Sequence, residues 1–340
     1  MEFISGSEKK FYEFIADLTE KDKIAILTHN DIDGMVSAVI ATKILGKVDY
    51  LAFLDYRQIK IRNCILEIKS KKINKLLVLD YSCEQELDSI KEIEKFAEIL
   101  ILDHHFSSQD INSKKIIFLR TETKIPASYL SYYLFSKIQA IPNWLPALGI
   151  LSDRADKYVK ENSEEVWKDF NLKGSLNLFE IMSILNNALI YFKSKSERIF
   201  RVLEKAKKPE EILELKKYSD EVEQEILEKL DEFKKKHEKI KDLLFYLYSS
   251  KFGINSELST RISLKDVDKT ILLARNSNGI ISLSARRQDG KVNCVSLLKQ
   301  LTQGIENSFT GGHLPAAGGN FSQKHLGKFK ENLKKLQTSF

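Results

Sequence analysis

Cysteine is scarce in this chain. Cys64, Cys83 and Cys294 are the only three, and none sits in a C-x-x-C spacing. That argues against a disulfide framework and a thiolate zinc site, and a reducing cytoplasm is the expected setting. Long apolar runs are missing as well. No stretch approaches the ~20 residues needed to cross a bilayer, so no membrane role is expected. The opening MEFISGSEKKFYEF lacks a basic stretch followed by an apolar one, and no signal peptide is expected. No G-x-x-x-x-G-K-[ST] loop is present, so ATP hydrolysis is not implied. Neither sign of charge dominates. The net charge of +6 is compatible with a polyanionic partner without establishing one. What remains is 340 residues, 43% hydrophobic and 30% charged, which suits a globular protein of two ordinary domains.

The hydrophobic pattern divides the chain. Residues 8–20 read as a short amphipathic helix. KIAILTHND (23–31) is an apolar run ending in polar residues, as a buried parallel strand does. GMVSAVIATKIL (34–45) has helical spacing. DYLAFLDY (49–56), NKLLVLDYS (74–82), AEILILDHHFS (97–107) and KIIFLR (115–120) read as four further strands. Helical stretches fall between several of them. The fold class expected is therefore α/β, with a mostly parallel five-stranded sheet flanked by helices. Pro126 to about Leu151 reads as one or two apolar helices, and 160–200 as mostly helical. Residues 204–242 mix both charges around an apolar stripe, as a solvated helical connector does. LLFYLYSS (243–250), TILLARNS (270–277) and GIISLSARR (279–287) read as strands of a smaller C-terminal α/β domain, with a helix at 295–301. A Gly-rich stretch (309–322) and a Lys-rich helix close the chain. The expected division is 1–190, a connector at 191–242, and 243–340.

Three predicted strands end in ionisable side chains: His29-Asn30-Asp31, Asp80, and Asp103-His104-His105. In open α/β sheets ligands bind beyond the carboxyl ends of the strands. In T-H-N-D-I-D-G, His29, Asp31 and Asp33 can converge on a small volume. Carboxylate and imidazole together suit manganese, iron or zinc. The competing reading is that an aspartate here caps the next helix. Asp80 alone would be an ordinary turn former. Three consecutive ionisable groups at 103–105 incur a desolvation cost unless exposed or bound to something. In the second half, Gly311-Gly312 and Gly318-Gly319 allow close backbone approach to a ligand, or simply form a hairpin. His313, Arg286 and Arg287 tilt that reading toward a nucleic-acid end. Phe106, Phe309 and Phe321 are candidates for base stacking, with core packing as the alternative job.

T-H-N-D-I-D-G, then V-L-D, L-D-H-H and L-S-D, together resemble the DHH phosphoesterase family. FTGGHLPAAGG preceded by ISLSARR resembles the DHH-associated C-terminal domain, whose G-G-H-x-x-A-A-G motif contacts substrate. The family includes RecJ-like exonucleases, oligoribonucleases, cyclic-dinucleotide phosphodiesterases and, more distantly, family II pyrophosphatases. The resemblance implies two Mn2+ ions, with Mg2+ as a possible substitute. By the same resemblance, His29 and Asp31 look like ligands of one ion and Asp33 and His104 of the other, with Asp80 bridging. Asp153 completes the set, with Asp156 as a rival because G-I-L-S-D-R-A-D departs from the commoner glycine-rich form. Asp103 and His105 take the catalytic roles, Asp103 orienting a ligand and His105 meeting phosphate. Arg286, Arg287, Gly311, Gly312, His313, Gly318 and Gly319 hold substrate. The implied function is a manganese-dependent exonuclease acting on single-stranded DNA or RNA or short oligonucleotides, with a helicase or repair partner possible. The alternatives are a cyclic-dinucleotide phosphodiesterase and a non-catalytic scaffold in a replication or repair complex.

Overall fold

The computed structural model describes residues 1–56, 59–153, 178–193 and 195–338. The chain divides into two compact units, Met1–Ser219 and Asp220–Phe340.

In the first unit, helix α1 (Glu8–Ala16) precedes strand β1 (Ile24–His29) and helix α2 (Ile32–Leu45). Then come β2 (Tyr50–Leu54), α3 (Ile61–Ser70), β3 (Lys75–Leu79), α4 (Leu87–Glu94), β4 (Glu98–Asp103) and β5 (Ile116–Arg120). α5 (Ala127–Phe135) and α6 (Trp144–Ser152) follow. The strands form a sheet in the order β2-β1-β3-β4-β5, and every neighbouring pair is parallel. Alternate side chains explain the layering. Ile26, Leu77, Leu79, Leu100 and Leu102 pack on one face with α2, α5 and α6. Leu27, Leu76, Val78, Ile99 and Ile101 pack on the other with α3 and α4. Both faces are covered, so the strands read as unbroken apolar runs rather than alternating ones. Residues 32–41 of α2 are all buried, which is why this helix is apolar all round. The chain leaves β1 to one side for β2 and crosses to the other for β3. That reversal opens a crevice at the carboxyl ends of β1 and β3.

Two boundaries differ from the sequence expectation. α1 stops at Ala16 because Thr19 donates backbone and hydroxyl hydrogens to Asp22 in a turn. The charged stretch from 204 is not one uniform helix. A helix Glu197–Lys205 ends before a 3-10 segment, Pro209–Leu215, and helix Lys216–Lys236 follows. Ile212 and Leu215 are buried in the first unit's core.

The second unit carries β6 (Glu238–Ile240), β7 (Leu243–Ser249), β8 (Thr270–Ser277), β9 (Ile280–Arg286), β10 (Phe309–His313) and β11 (Ala316–Ser322). Their order is β10-β11-β9-β8-β7-β6. Helices Cys294–Leu301 and Leu326–Thr338 cover one face through Leu298, Leu301, Phe329 and Leu333. A polar helix, Asn255–Ser263, lies on the other, where Ser259 and Ser284 share a 2.9 Å hydrogen bond. Among the described residues no helix is long and apolar enough to cross a membrane.

Candidate metal centre

Three strands deliver the cluster, and each does so for a local reason. β1 ends at His29, and the chain turns at once into α2. Asp31 is the N-cap: its Oδ1 accepts the Gly34 N–H at 2.9 Å. Its Oδ2 stays free of the cap and lies 2.6 Å from His29 Nδ1. One carboxylate oxygen thus caps the helix, and the other is left to face the crevice beside His29. Gly34 has no room for a side chain, since a Cβ would run into the His29 backbone.

Asp33, in the first turn of α2, is fully buried. Its two oxygens accept the Ala127 and Ser128 N–H groups at 2.8 and 3.0 Å, at the start of α5. Each oxygen keeps a second lone pair for the crevice. At the end of β3, Asp80 adopts φ 56°, a left-handed conformation that costs a non-glycine residue about 1 kcal/mol or more. The backbone turn aims its carboxylate across the crevice at three imidazoles. His104 Nε2 is 3.3 Å away, His29 Nδ1 3.7 Å and His105 Nδ1 3.9 Å.

At the end of β4, Asp103 Oδ1 accepts the His104 and His105 N–H groups and lies 2.7 Å from His105 Nδ1. His104 Nδ1 lies 3.0 Å from the Thr123 carbonyl. Donation to that carbonyl leaves His104 Nε2 to face Asp80, Asp153 (3.4 Å) and Asp33 (4.0 Å). Asp153 stands just past the end of α6. Asp156 lies outside the described residues.

Three groups of possible ligands result: His29, Asp31 and Asp80; Asp33, His104 and Asp153; and Asp80, His104 and His105. Within each, the ligand atoms lie within 4.8 Å of one another. Asp80 belongs to two groups, and His104 joins it to Asp33 and Asp153.

The donor set fits a divalent cation. Asp80 is 1% exposed, yet neither of its oxygens has a hydrogen-bond partner, and neither does His29 Nδ1 despite its 2.6 Å neighbour. A buried carboxylate without donors is costly unless a charge compensates it. Ligand atoms that crowd without a proton aligned between them are placed as co-ligands of one ion are.

The electrostatics agree. Burial opposes charge on His104, but Asp80, Asp33 and Asp153 override it and push its pKa up to about 11. Burial likewise opposes charge on His29, and Asp31 and Asp80 raise it well above the ordinary value. His105 is raised by its bond to Asp103 against the same opposition. Burial and the charges of Asp80 and Asp31 push Asp153 up to about 7. Burial, Asp80 and Asp153 raise Asp33. Burial works against Asp80 as an anion, but His104 and His29 hold its pKa far below the carboxylate range. Carboxylates that raise one another, neutralised only by protonated imidazoles, form a site in which a metal ion can replace protons.

Two residues beside the site are missed by the sequence reading. Tyr56 and Tyr81 stack at 4.7 Å and 12°. Tyr56 also lies 5.3 Å from the His29 ring and 6.3 Å from that of His105. Tyr81 donates to Glu86 Oε1 at 2.8 Å, and Glu86 accepts the Ile61 and Arg62 N–H groups that open α3. Both tyrosines stand in Leu-Asp-Tyr segments at a strand end, 54–56 and 79–81. That repeat was the available clue.

The residues expected to hold substrate gather in the second unit. β10 and β11 form the hairpin, with Gly311 opposite Gly318 and His313 opposite Ala316, which in turn faces Arg286 on β9. Arg286, Ala316 and His313 therefore share one face. Gly312 has φ 138° and Gly319 packs against the Phe309 backbone, so both positions require glycine. Arg287 is different. It is 6% exposed, and Asp289 holds its guanidinium at 2.7 and 3.0 Å, so it braces the following turn. Phe321 is core at 1% exposure, whereas Phe106 (73%) and Phe309 (50%) are exposed.

Comparison with known proteins agrees with this architecture. The model of the DHH family, N-terminal domain, matches residues 23–149, and that of the DHHA1 domain matches 245–339. A solved structure described as exonuclease RecJ bound to manganese superposes with a TM-score of 0.74 at 14% identity, over 100% of this chain and 96% of that one. RecJ from Thermus thermophilus, in complex with Mn2+, gives 0.71 at 14% identity over 98% of this chain. The chain spans only 55% of that protein's length. CDC45 from Entamoeba histolytica gives 0.65 at 11% identity over 98% and 99% of the two chains. Among curated proteins nothing matches the sequence. The two matched domains, in this order and on this fold, mean that the chain belongs to the DHH family and carries a DHHA1 domain in its second half.

Proposed function

We propose that this protein is a metal-dependent phosphodiesterase that shortens single-stranded nucleic acid or short oligonucleotides from one end. The observation that carries the reading is Asp80. It is buried, without hydrogen-bond donors, and set between three imidazoles at the sheet's switch point. His29, Asp31 and Asp80 would hold one Mn2+, and Asp33, His104 and Asp153 a second, with Asp80 reaching both. Mn2+ is favoured by the mixed imidazole and carboxylate donors, and Mg2+ is the substitute. RecJ structures of this fold are described with each ion. Bound there, the ions supply Lewis acidity and a water of lowered pKa.

The protein's own groups do the rest. Asp103 fixes the His105 ring through Nδ1, leaving Nε2 to meet a phosphoryl oxygen. Asp33 ties the first turn of α2 to the start of α5 and so keeps the crevice's back wall in register. In the second unit, the glycine hairpin offers backbone N–H groups, and His313 and Arg286 side chains, to a terminal nucleotide. The setting proposed is cytoplasmic. A scaffold role is the second reading, since CDC45 shares the fold. The complete set of ligand candidates, with Asp33, Asp80 and His104 buried, speaks against it.

The test is product analysis on single strands of DNA and RNA labelled at the 5′ or the 3′ end, with Mn2+ added. A ladder of stepwise shortening is expected. Inert oligomers with turnover of cyclic dinucleotides would instead move the activity to that substrate class. No hydrolysis of either would overturn the reading.

A further inference from the structure

Positive charge is not spread evenly along the chain. Residues 291–340 hold seven lysines against Glu306 and Glu331, a net +5 of the whole chain's +6. Elsewhere many lysines are matched to carboxylates, as in Lys23–Asp49, Lys69–Glu92 and Lys137–Glu8. In the closing segment Lys328 reaches Glu331 at 3.4 Å. Among the described residues, Lys291, Lys299, Lys324, Lys330 and Lys334 have no ion-pair partner, and all five are exposed.

The bland explanation is a solvated helix surface. Helix Lys216–Lys236 shows what that looks like here. Three of its six lysines pair along the helix, Lys229 with Glu232, Lys234 with Asp231 and Lys236 with Glu232, and its carboxylates outnumber its lysines. Helix Leu326–Thr338 keeps the apolar stripe, with Phe329 and Leu333 inward, but its outward positions hold four lysines and one glutamate. Asn332 ties this helix to helix Cys294–Leu301 by donating to the Leu301 and Gln303 carbonyls at 3.0 Å. Lys299 of the shorter helix therefore joins the same outer layer. That layer covers the face of the sheet opposite Arg286 and Ser284, the side chains that share a face with the glycine hairpin's His313.

We infer that this helical layer is a second nucleic-acid contact, an electrostatic track for the phosphodiester backbone. It is distinct from the hairpin on the other face. The inference rests on the nucleic-acid reading above and adds what that reading lacks, a dependence on strand length. Unpaired ammonium groups on flexible stems suit sequence-independent phosphate contact through counterion release. A dinucleotide fills the hairpin alone, whereas a long strand reaches both faces.

The test uses the full chain in EDTA, so that no cleavage occurs, with a long labelled single strand and a labelled dinucleotide across a salt series. The variant carries Lys299→Glu, Lys324→Glu, Lys330→Glu and Lys334→Glu, and a matching set of Gln substitutions guards against misfolding. Loss of four lysine–phosphate contacts should make the salt slope shallower by roughly 3, at about 0.7 per contact. Affinity for the long strand should fall by more than about tenfold, with dinucleotide binding unchanged. An unchanged slope and affinity in both sets would overturn the inference. The two proposals fail separately. Absent cleavage with the charge effect intact removes only the catalytic reading, and normal cleavage with no charge effect removes only this one.

Discussion

The two units build their sites by opposite means. The first gathers ionisable side chains from three strand ends and from α2 and α6 into one crevice, where neighbouring charges shift one another's proton affinity. The second strips side chains away. Its hairpin pairs Gly311 with Gly318, and Gly312 and Gly319 sit where a Cβ would strike backbone. A metal centre needs fixed, converging ligands, so burial and hydrogen bonds hold it rigid. On the proposed reading the hairpin admits a nucleotide, which needs open backbone, so absence of atoms would be its feature. Substitutions in the first unit should therefore abolish chemistry, and those in the second should weaken substrate binding while metal affinity stays intact.

Asp80→Ala is the strongest way to break that contrast. It removes the carboxylate shared by two groups of ligands. Activity should fall by roughly 10⁴-fold, the scale seen when one member of a jointly acting set is lost. Mn2+ binding by calorimetry should fall with it. Retained stoichiometry of two ions would remove Asp80 from the centre. Asp103→Asn comes next. It keeps the shape but weakens the partner of His105 Nδ1, and should cost about 10–100-fold in activity with little change in KM. Gly319→Ala should do the reverse. Its Cβ would sit 2.6 Å from the Phe309 carbonyl oxygen, so the hairpin must part, at about 1–3 kcal/mol. Titrated against Mn2+, this variant should match the parent while its KM for oligonucleotide rises.

How much of this could be read in the sequence follows the same division. β1, β3 and β4 were legible because strands buried on both faces are unbroken apolar runs, and the polar residues ending them stand out. His29, Asp80 and the triplet at 103–105 were legible for that reason. Thr123 was not, because its contribution is a carbonyl oxygen and every residue has one. The N–H groups of Ala127 and Ser128 that hold Asp33 are equally silent. Glu86 caps a helix that begins 25 residues earlier in the chain, a pairing only the fold creates. In the second unit, FTGGH and AAGGNFS hold only Phe309, Thr310 and Phe321 as β-formers, so the glycine-rich stretch suggested a hairpin without marking where β10 and β11 begin and end. Helix Asn255–Ser263 went unread because Ser259, Thr260 and Ser263 are buried along with Leu258 and Ile262, so its inward face is not apolar.

The pKa pattern gives a test of the charge balance in the first unit. In metal-free protein His29, His104, His105, Asp33 and Asp153 all hold protons more tightly folded than unfolded. The folded state then binds more protons, and stability falls as pH rises. For Asp153 the window runs from the ordinary carboxylate value of 3.8 to about 7, and for His104 from 6.5 to about 11. Asp80, with its pKa lowered, acts in the opposite sense only at acid pH. Melting in EDTA should thus show Tm declining from about pH 6 to about pH 9, while the increment from added Mn2+ grows as protons cease to compete. A flat profile in EDTA would mean that the cluster does not hold these protons.

The smallest effect expected sharpens the contrast most, because it lies outside the ligands. Tyr81 follows Asp80, whose φ of 56° needs support from its surroundings. The Tyr81 hydroxyl is anchored on Glu86, and its ring carries Tyr56, whose other neighbours are the His29 and His105 rings. Tyr81→Phe keeps the stack and deletes only the anchor. Unfolding in EDTA should lose about 1 kcal/mol, the worth of one buried hydrogen bond. Mn2+ affinity should fall by roughly tenfold, as it does when an outer partner of a metal ligand is removed. The loss should fall on the ion held by His29, Asp31 and Asp80, so that calorimetry separates one weakened step from one unchanged step. Equal weakening of both steps, or none, would show that the tyrosine pair fills the core without orienting the ligands beside it.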